Sequence, residues 1–200
     1  YPFFMGLGHI LRLRDMRLTI VLFFIGLGIF NAVTTWIEQI LAPRGITAEQ
    51  AGIIGALMMV GGIIGASILP VLSDRMRKRR PFLVGAMIAM VPGLFGLAFG
   101  TRFWLILLSS FVLGFFIMSA GPIGFQYSAE VSHPAPESIS QGVLLLAGQI
   151  SGVIFILGMD AFRSADTGSM TPFLVLFMVL VVLNAFLGLR LRESKIGGRA

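Results

Sequence analysis

The sequence predicts an all-α membrane protein: six transmembrane helices in one bundle, with both termini on the cytoplasmic side. Three observations carry that expectation. Of the 200 residues, 56% are hydrophobic and only 12% are charged, whereas a soluble domain carries about 25% charged residues. Six apolar stretches follow one another, each of the roughly 20 residues that a helix needs to cross a hydrocarbon core about 30 Å thick. Twelve of the 15 Lys and Arg residues collect on one side, before the first stretch, after the second or after the sixth. Barrel strands would be about 10 residues long with alternating polarity, and these runs are neither.

Residues 1–17 form a lead-in, YPFFMGLGHILRLRDMR. Its apolar start is short, no small-residue cleavage site follows, and the basic residues come after it, so it does not read as a signal peptide. The chain opens with Tyr1 rather than Met, which suggests a piece taken from inside a longer protein. The spans are expected at about 18–42, 51–72, 81–101, 103–129, 138–159 and 167–189, within a bundle of residues 18–190. A basic tail, 191–200, follows. Only the first span carries a charge, Glu38. The second contains Gly61 and Gly65 at GxxxG spacing, and the fifth repeats it with Gly148 and Gly152; in lipid, small residues let helix backbones approach closely. Pro92-Gly93 and Gly121-Pro122 interrupt the third and fourth spans. Each proline removes a backbone donor, which serves either a tight packing kink or a hinge.

The distribution of positive charge sets the orientation. Twelve Lys and Arg residues lie before the first span, after the second or after the sixth, while only Arg44, Arg102 and Arg163 fall at the other end. LSDRMRKRRPF, the connection after the second span, holds five of the twelve. It is too short and too poor in aromatics for nucleic-acid binding, so it reads as a topology anchor that touches anionic headgroups.

Polar residues inside apolar spans are costly and mark candidate sites. Asn31, Thr35 and Glu38 lie at spacings of four and three, on one helix face. Glu38 serves either a substrate or proton site, or the interface near Arg44. Gln149 sits mid-span, as an interhelical hydrogen bonder or a ligand contact. Trp36 fits an interfacial aromatic belt, or a cation-stacking role. Asn184 reads as a packing residue, Asp160 and Asp166 as solvated, His133 as a loop residue. With no cysteine and two histidines, no catalytic constellation, metal site or cofactor is expected.

Six spans and a basic loop suggest half of a transporter, and PVLSDRMRKRRPF resembles the loop motif of the major facilitator superfamily, Gly-x-Leu-x-Asp-Arg-x-Gly-Arg-Arg/Lys. Leu72, Asp74, Arg75, Lys78 and Arg79 match; Pro70 and Arg77 stand where the motif has glycine. The degenerate form resembles the motif's second occurrence, in the C-terminal half. AEVSHPAPESISQGVLLLAGQISG is similar to the feline leukaemia virus subgroup C receptor-related transporters, through Glu130, Pro134, Glu137, Ser140, Gly142 and Gln149, with Ser132 and His133 departing. The run from Ile46, ITAEQAGIIGALMMVGGIIGA, is similar too.

The resemblance implies one half of a twelve-helix fold, with residues 1–17 ending a central linker, and a missing N-terminal six-helix half as partner. It implies transport of a small organic solute, an organic cation among the candidates, by alternating access across a plasma membrane, a prokaryotic inner membrane here. Asn31, Thr35, Trp36, Glu38 and Gln149 would line the cavity, with Glu38 as proton-coupling residue. Asp74, Arg75, Lys78 and Arg79 would form the cytoplasmic gate, Asp74 acting as a latch on a helix N-terminus in the other half. A six-helix homodimeric channel or a receptor-like scaffold is the rival reading.

Overall fold

A computed structural model describes residues 2–194, and every regular element among them is helical. A short helix, α1 (Phe3–Arg12), is followed by α2 (Arg14–Leu41), α3 (Ala48–Met76), α4 (Arg80–Phe99), α5 (Phe103–Ser132), α6 (Glu137–Ala161) and α7 (Thr171–Leu189). The helices α2 to α7 are all long and apolar enough to cross a membrane. The boundaries follow local chemistry. Pro43 and Gly45, the latter at φ 78°, close the turn after α2. Thr47 and Gln50 then form a reciprocal capping box at the start of α3, with bonds of 3.2 and 3.1 Å. Proline near the first helical position starts α4 and α7.

Two elements start elsewhere than the hydropathy suggests. The first membrane helix begins at Arg14, with Asp15 in its first turn, where a carboxylate complements the helix dipole. The last begins at Thr171 rather than 167. Residues 164–169 close a loop on themselves through Ser164 and Ser169, with Gly168 at φ 67°.

Packing runs chiefly through two helix pairs, α3 with α5 and α2 with α6, with α4 resting on α5 and α7. Both GxxxG pairs lie at these contacts. A Cβ on Gly61 would stand 2.6 Å from the Phe111 carbonyl oxygen, and one on Gly65 would run into that of Phe115. Gly148 and Gly152 receive Leu27 and Asn31 of α2 in the same way. The helix termini rich in Lys and Arg all gather at one end of the bundle, the basic end. There α1 packs Ile10 with Met16, Ala135 and Ile139 as a small separate core.

Candidate functional site

Two regions collect the polar chemistry: a face shared by α2 and α6, and the basic end. On α2, Asn31 donates from Nδ2 to the Gly148 carbonyl of α6 at 3.4 Å, which puts it one residue away from Gln149. Thr35 bonds back to the Asn31 carbonyl at 2.7 Å. The side chains of Thr35, Glu38 and Gln149 are exposed on the isolated bundle. Gln149 follows Leu145 by four residues, so the two share a face of α6. Leu145 lines a cavity of about 370 Å³ together with Phe23, Leu27 and Phe30 of α2 and Gly121, Pro122 and Phe125 of α5. The Gly121-Pro122 interruption thus borders open space, where a backbone break is tolerated. Asn184 also lines the cavity; it is buried, and its Nδ2 donates to the Leu22 carbonyl at 3.1 Å.

Trp36 turns toward α6, where its Nε1 donates to the Ile156 carbonyl at 3.0 Å. A cation does stack on its ring, but it is the protein's own Arg163, 5.2 Å from the ring centre. Arg163 also approaches Asp160 at 3.7 Å. Arg44 does not pair with Glu38: its guanidinium binds the Leu97 and Gly100 carbonyls, the latter at 2.8 Å, at the end of α4. This is a basic group at a helix C-terminus, where the dipole favours it.

At the basic end the structure centres on Arg79. Its guanidinium donates to Asp74 at 2.5 Å, to the Ser73 hydroxyl at 3.1 Å and to Glu130 at 2.9 Å. Its backbone N–H donates to Glu193 at 2.5 Å, and that of Arg80 to the same oxygen at 3.3 Å. Glu193 therefore caps α4 from a distant part of the chain, and one side chain ties together the ends of α3, α4 and α5. Glu130 is completed by Gln126 at 3.2 Å and by Ser194. The segment after α7 is fastened again where its Arg192 carbonyl accepts from the Tyr127 hydroxyl at 2.7 Å and its Arg190 carbonyl from Arg14 at 3.2 Å. Burial alone would lower the Arg79 pKa; the bonds to Glu130 and Asp74 outweigh it and leave the group above its ordinary value. Arg75 and Lys78, the other motif residues, are exposed.

Sequence spacing brings Asp74 and Arg79 within reach of each other, five residues apart. It does not reveal Glu130, Glu193 or Ser194 as members of the cluster. The available signal was Glu130 itself, an acidic residue at the end of a long charge-free run.

The Major Facilitator Superfamily profile matches residues 3–156. An uncharacterised protein of Archaeoglobus fulgidus is 36% identical over 92% of this chain and 83% of its own length. Solute carrier family 49 member A3 of Xenopus tropicalis is 32% identical over 78% of this chain. The choline/ethanolamine transporter FLVCR2 of Homo sapiens is 30% identical over 94% of it. The chain spans only 33% and 38% of those two vertebrate relatives. The inward-open conformation of the xylose transporter XylE from E. coli shares the fold, with a TM-score of 0.67 at 20% identity, covering 88% of this chain and 47% of that one. Six apolar helices joined through a matched loop motif, a profile over most of the length and half of a known transporter fold agree: the chain belongs to the Major Facilitator Superfamily.

Proposed function

We propose that the chain is one six-helix half of a secondary transporter that carries a small organic solute by alternating access. Its basic end would face the cytoplasm, and a second six-helix half would close the face of α2 and α6. The observation that carries this reading is Gln149, exposed in the middle of a 25-residue helix whose stretch from Gly142 to Met159 has only Ser151 as a further polar side chain. A side-chain amide turned to lipid at that depth leaves donor and acceptor unsatisfied, so its face belongs against a polar cavity. Thr35 and Glu38 on the facing helix supply further polar groups. In the major facilitator fold, substrate sites lie near the midplane between halves, which fits this face.

Relatives named as choline/ethanolamine transporters make small hydroxylated amines and quaternary ammonium ions the first substrates to test. Phe23, Phe30 and Phe125 along the cavity would favour such cations through their ring faces. Glu38 is assigned to proton coupling. The experiment is uptake of labelled choline and ethanolamine into proteoliposomes holding the complete transporter, with and without a pH gradient. Gln149→Ala is expected to lower uptake about tenfold or more, the effect of losing one charge-assisted or buried hydrogen bond to substrate. Glu38→Gln is expected to abolish the pH-driven component alone. Normal uptake by the Gln149 variant would remove that residue from the site, and an intact proton dependence would remove Glu38 from coupling.

A further inference from the structure

Away from the face of α2 and α6, a groove of about 410 Å³ runs between α4 and α7 on the outer surface. Ile88 and Pro92 form one wall and Val182, Phe186 and Leu189 the other, over a floor that includes Ala185. No residue of α2, α3, α5 or α6 lines it, so it is separate from the cavity described above. The small Ala185 is almost wholly buried, while Ile88 and Phe186 stand about 60% exposed on either side (58% and 62%). Gly85 lies on the same side of α4 as Ile88 and Pro92, at helical spacings of three and four; it is exposed, and its Cβ would meet nothing within 4 Å. From Pro92 to Pro81 this face of α4 runs over eleven residues, about 16 Å at 1.5 Å per residue. That matches one leaflet of a hydrocarbon core about 30 Å thick.

The foot of this furrow is basic. Arg190 follows Phe186 by four residues, on the same side of α7, and its side chain is exposed and in no ion pair among the described residues. Its backbone is engaged, the carbonyl by Arg14 and the N–H by the Leu187 carbonyl. Arg80 stands half-buried at the start of α4. The nearby carboxylate, Glu193, is turned to the backbone N–H groups of Arg79 and Arg80 rather than to either guanidinium.

We propose that this groove is a specific site for an anionic phospholipid of the leaflet at the basic end: one acyl chain lies along Pro92, Ile88 and Gly85, and the phosphate meets Arg190 and Arg80. The apolar lane has the length of one chain, and guanidinium forks match phosphate oxygens in pairs. The lipid would bridge α4 and α7 over the seam along which the two helices pack.

Native mass spectrometry of the purified, delipidated protein tests this, with dioleoyl phosphatidylglycerol and dioleoyl phosphatidylcholine as probes. The unaltered protein is expected to retain the phosphatidylglycerol with about fivefold or greater preference, the effect of one or two arginines at a headgroup. Arg190→Gln combined with Arg80→Gln should bring the two lipids to parity with helicity unchanged. Gly85→Leu grows into open space, so folding should survive, and retention of both lipids should fall. Equal retention of the two lipids by the unaltered protein would overturn the proposal. So would undiminished retention after Gly85→Leu, or a preference that survives the double arginine change.

Discussion

Arg79 is 10% exposed and Glu130 7%, measured over their side chains, whereas Asp74 is 62% exposed although it holds the same guanidinium. The two carboxylates therefore differ in worth. Breaking a buried pair leaves an uncompensated charge and costs about 3–5 kcal/mol; because Asp74 still neutralises Arg79, Glu130→Gln is expected to cost about 2–3 kcal/mol. An exposed pair is worth about 0.2–1 kcal/mol, so Asp74→Asn should lie in that range. Denaturation in detergent, compared between the two variants, checks the ranking; equal losses would mean that burial does not set it. Next to the pair, Arg77 takes the left-handed conformation, φ 52° and ψ 36°, at the end of α3. The family motif has glycine there, and the backbone gives the reason: a Cβ in that region costs about 1–2 kcal/mol. Replacing Arg77 by Gly and by Ala isolates that cost, since both remove the same side chain. The Gly variant should unfold later, by about 1 kcal/mol. Asp74 and Arg79 were legible because the motif is local. Glu130 and Glu193 were not, because they reach Arg79 across 51 and 114 residues of sequence.

At the scale of the helix, two glycines of α3 that look alike in sequence have opposite surroundings. Gly65 sits under the Phe115 carbonyl of α5, and an added Cβ would collide with backbone; Gly52 has nothing within 4 Å. Backbone cannot swing aside as a side chain can, so Gly65→Ala should separate α3 from α5 and cost about 1–3 kcal/mol, the usual range for overpacking. Gly52→Ala meets no obstacle and gains helix propensity, about 0.5–1 kcal/mol. Thermal unfolding of the two single variants should therefore shift in opposite directions, and a shared direction would contradict the packing described for α3 and α5. The GxxxG spacing announces that something small is needed. It does not name the partner, since Phe111 and Phe115 belong to a helix whose register is fixed only when the bundle assembles. The six spans were legible for a simpler reason: apolar length is a property of each run alone, and no partner is needed to read it. The face of α2 was legible by periodicity, but the turn of Trp36 toward α6 and the cation already on its ring were set by a loop 127 residues further on, where Arg163 lies.

For the whole molecule, the basic end is built as a closed cluster within this half. Among the described residues the Asp74 carboxylate pairs with Arg79 alone, through a bond that leaves most of its side chain open to solvent, so it has capacity for a second partner. Under the proposed two-half reading, the end of α3 would face the other half when the cytoplasmic side is shut, and a helix N-terminus there would find a carboxylate with free lone pairs. Such a contact contributes about 0.3–1 kcal/mol when exposed and up to ~2 when partly buried. The remaining members, Arg79, Glu130 and Glu193, join the ends of α3, α4 and α5, so that a latch at Asp74 would move with the half rather than bend away from it. Asp74→Asn removes the charge while leaving an acceptor oxygen and the internal cluster in place. In the complete transporter it is expected to slow turnover about two- to tenfold, the rate equivalent of that contact, with substrate affinity unchanged. Equilibrium binding measured beside uptake separates the outcomes: a weakened Kd in a folded variant would place Asp74 in the binding site, whereas slower uptake at constant Kd is what a gate contact between halves produces.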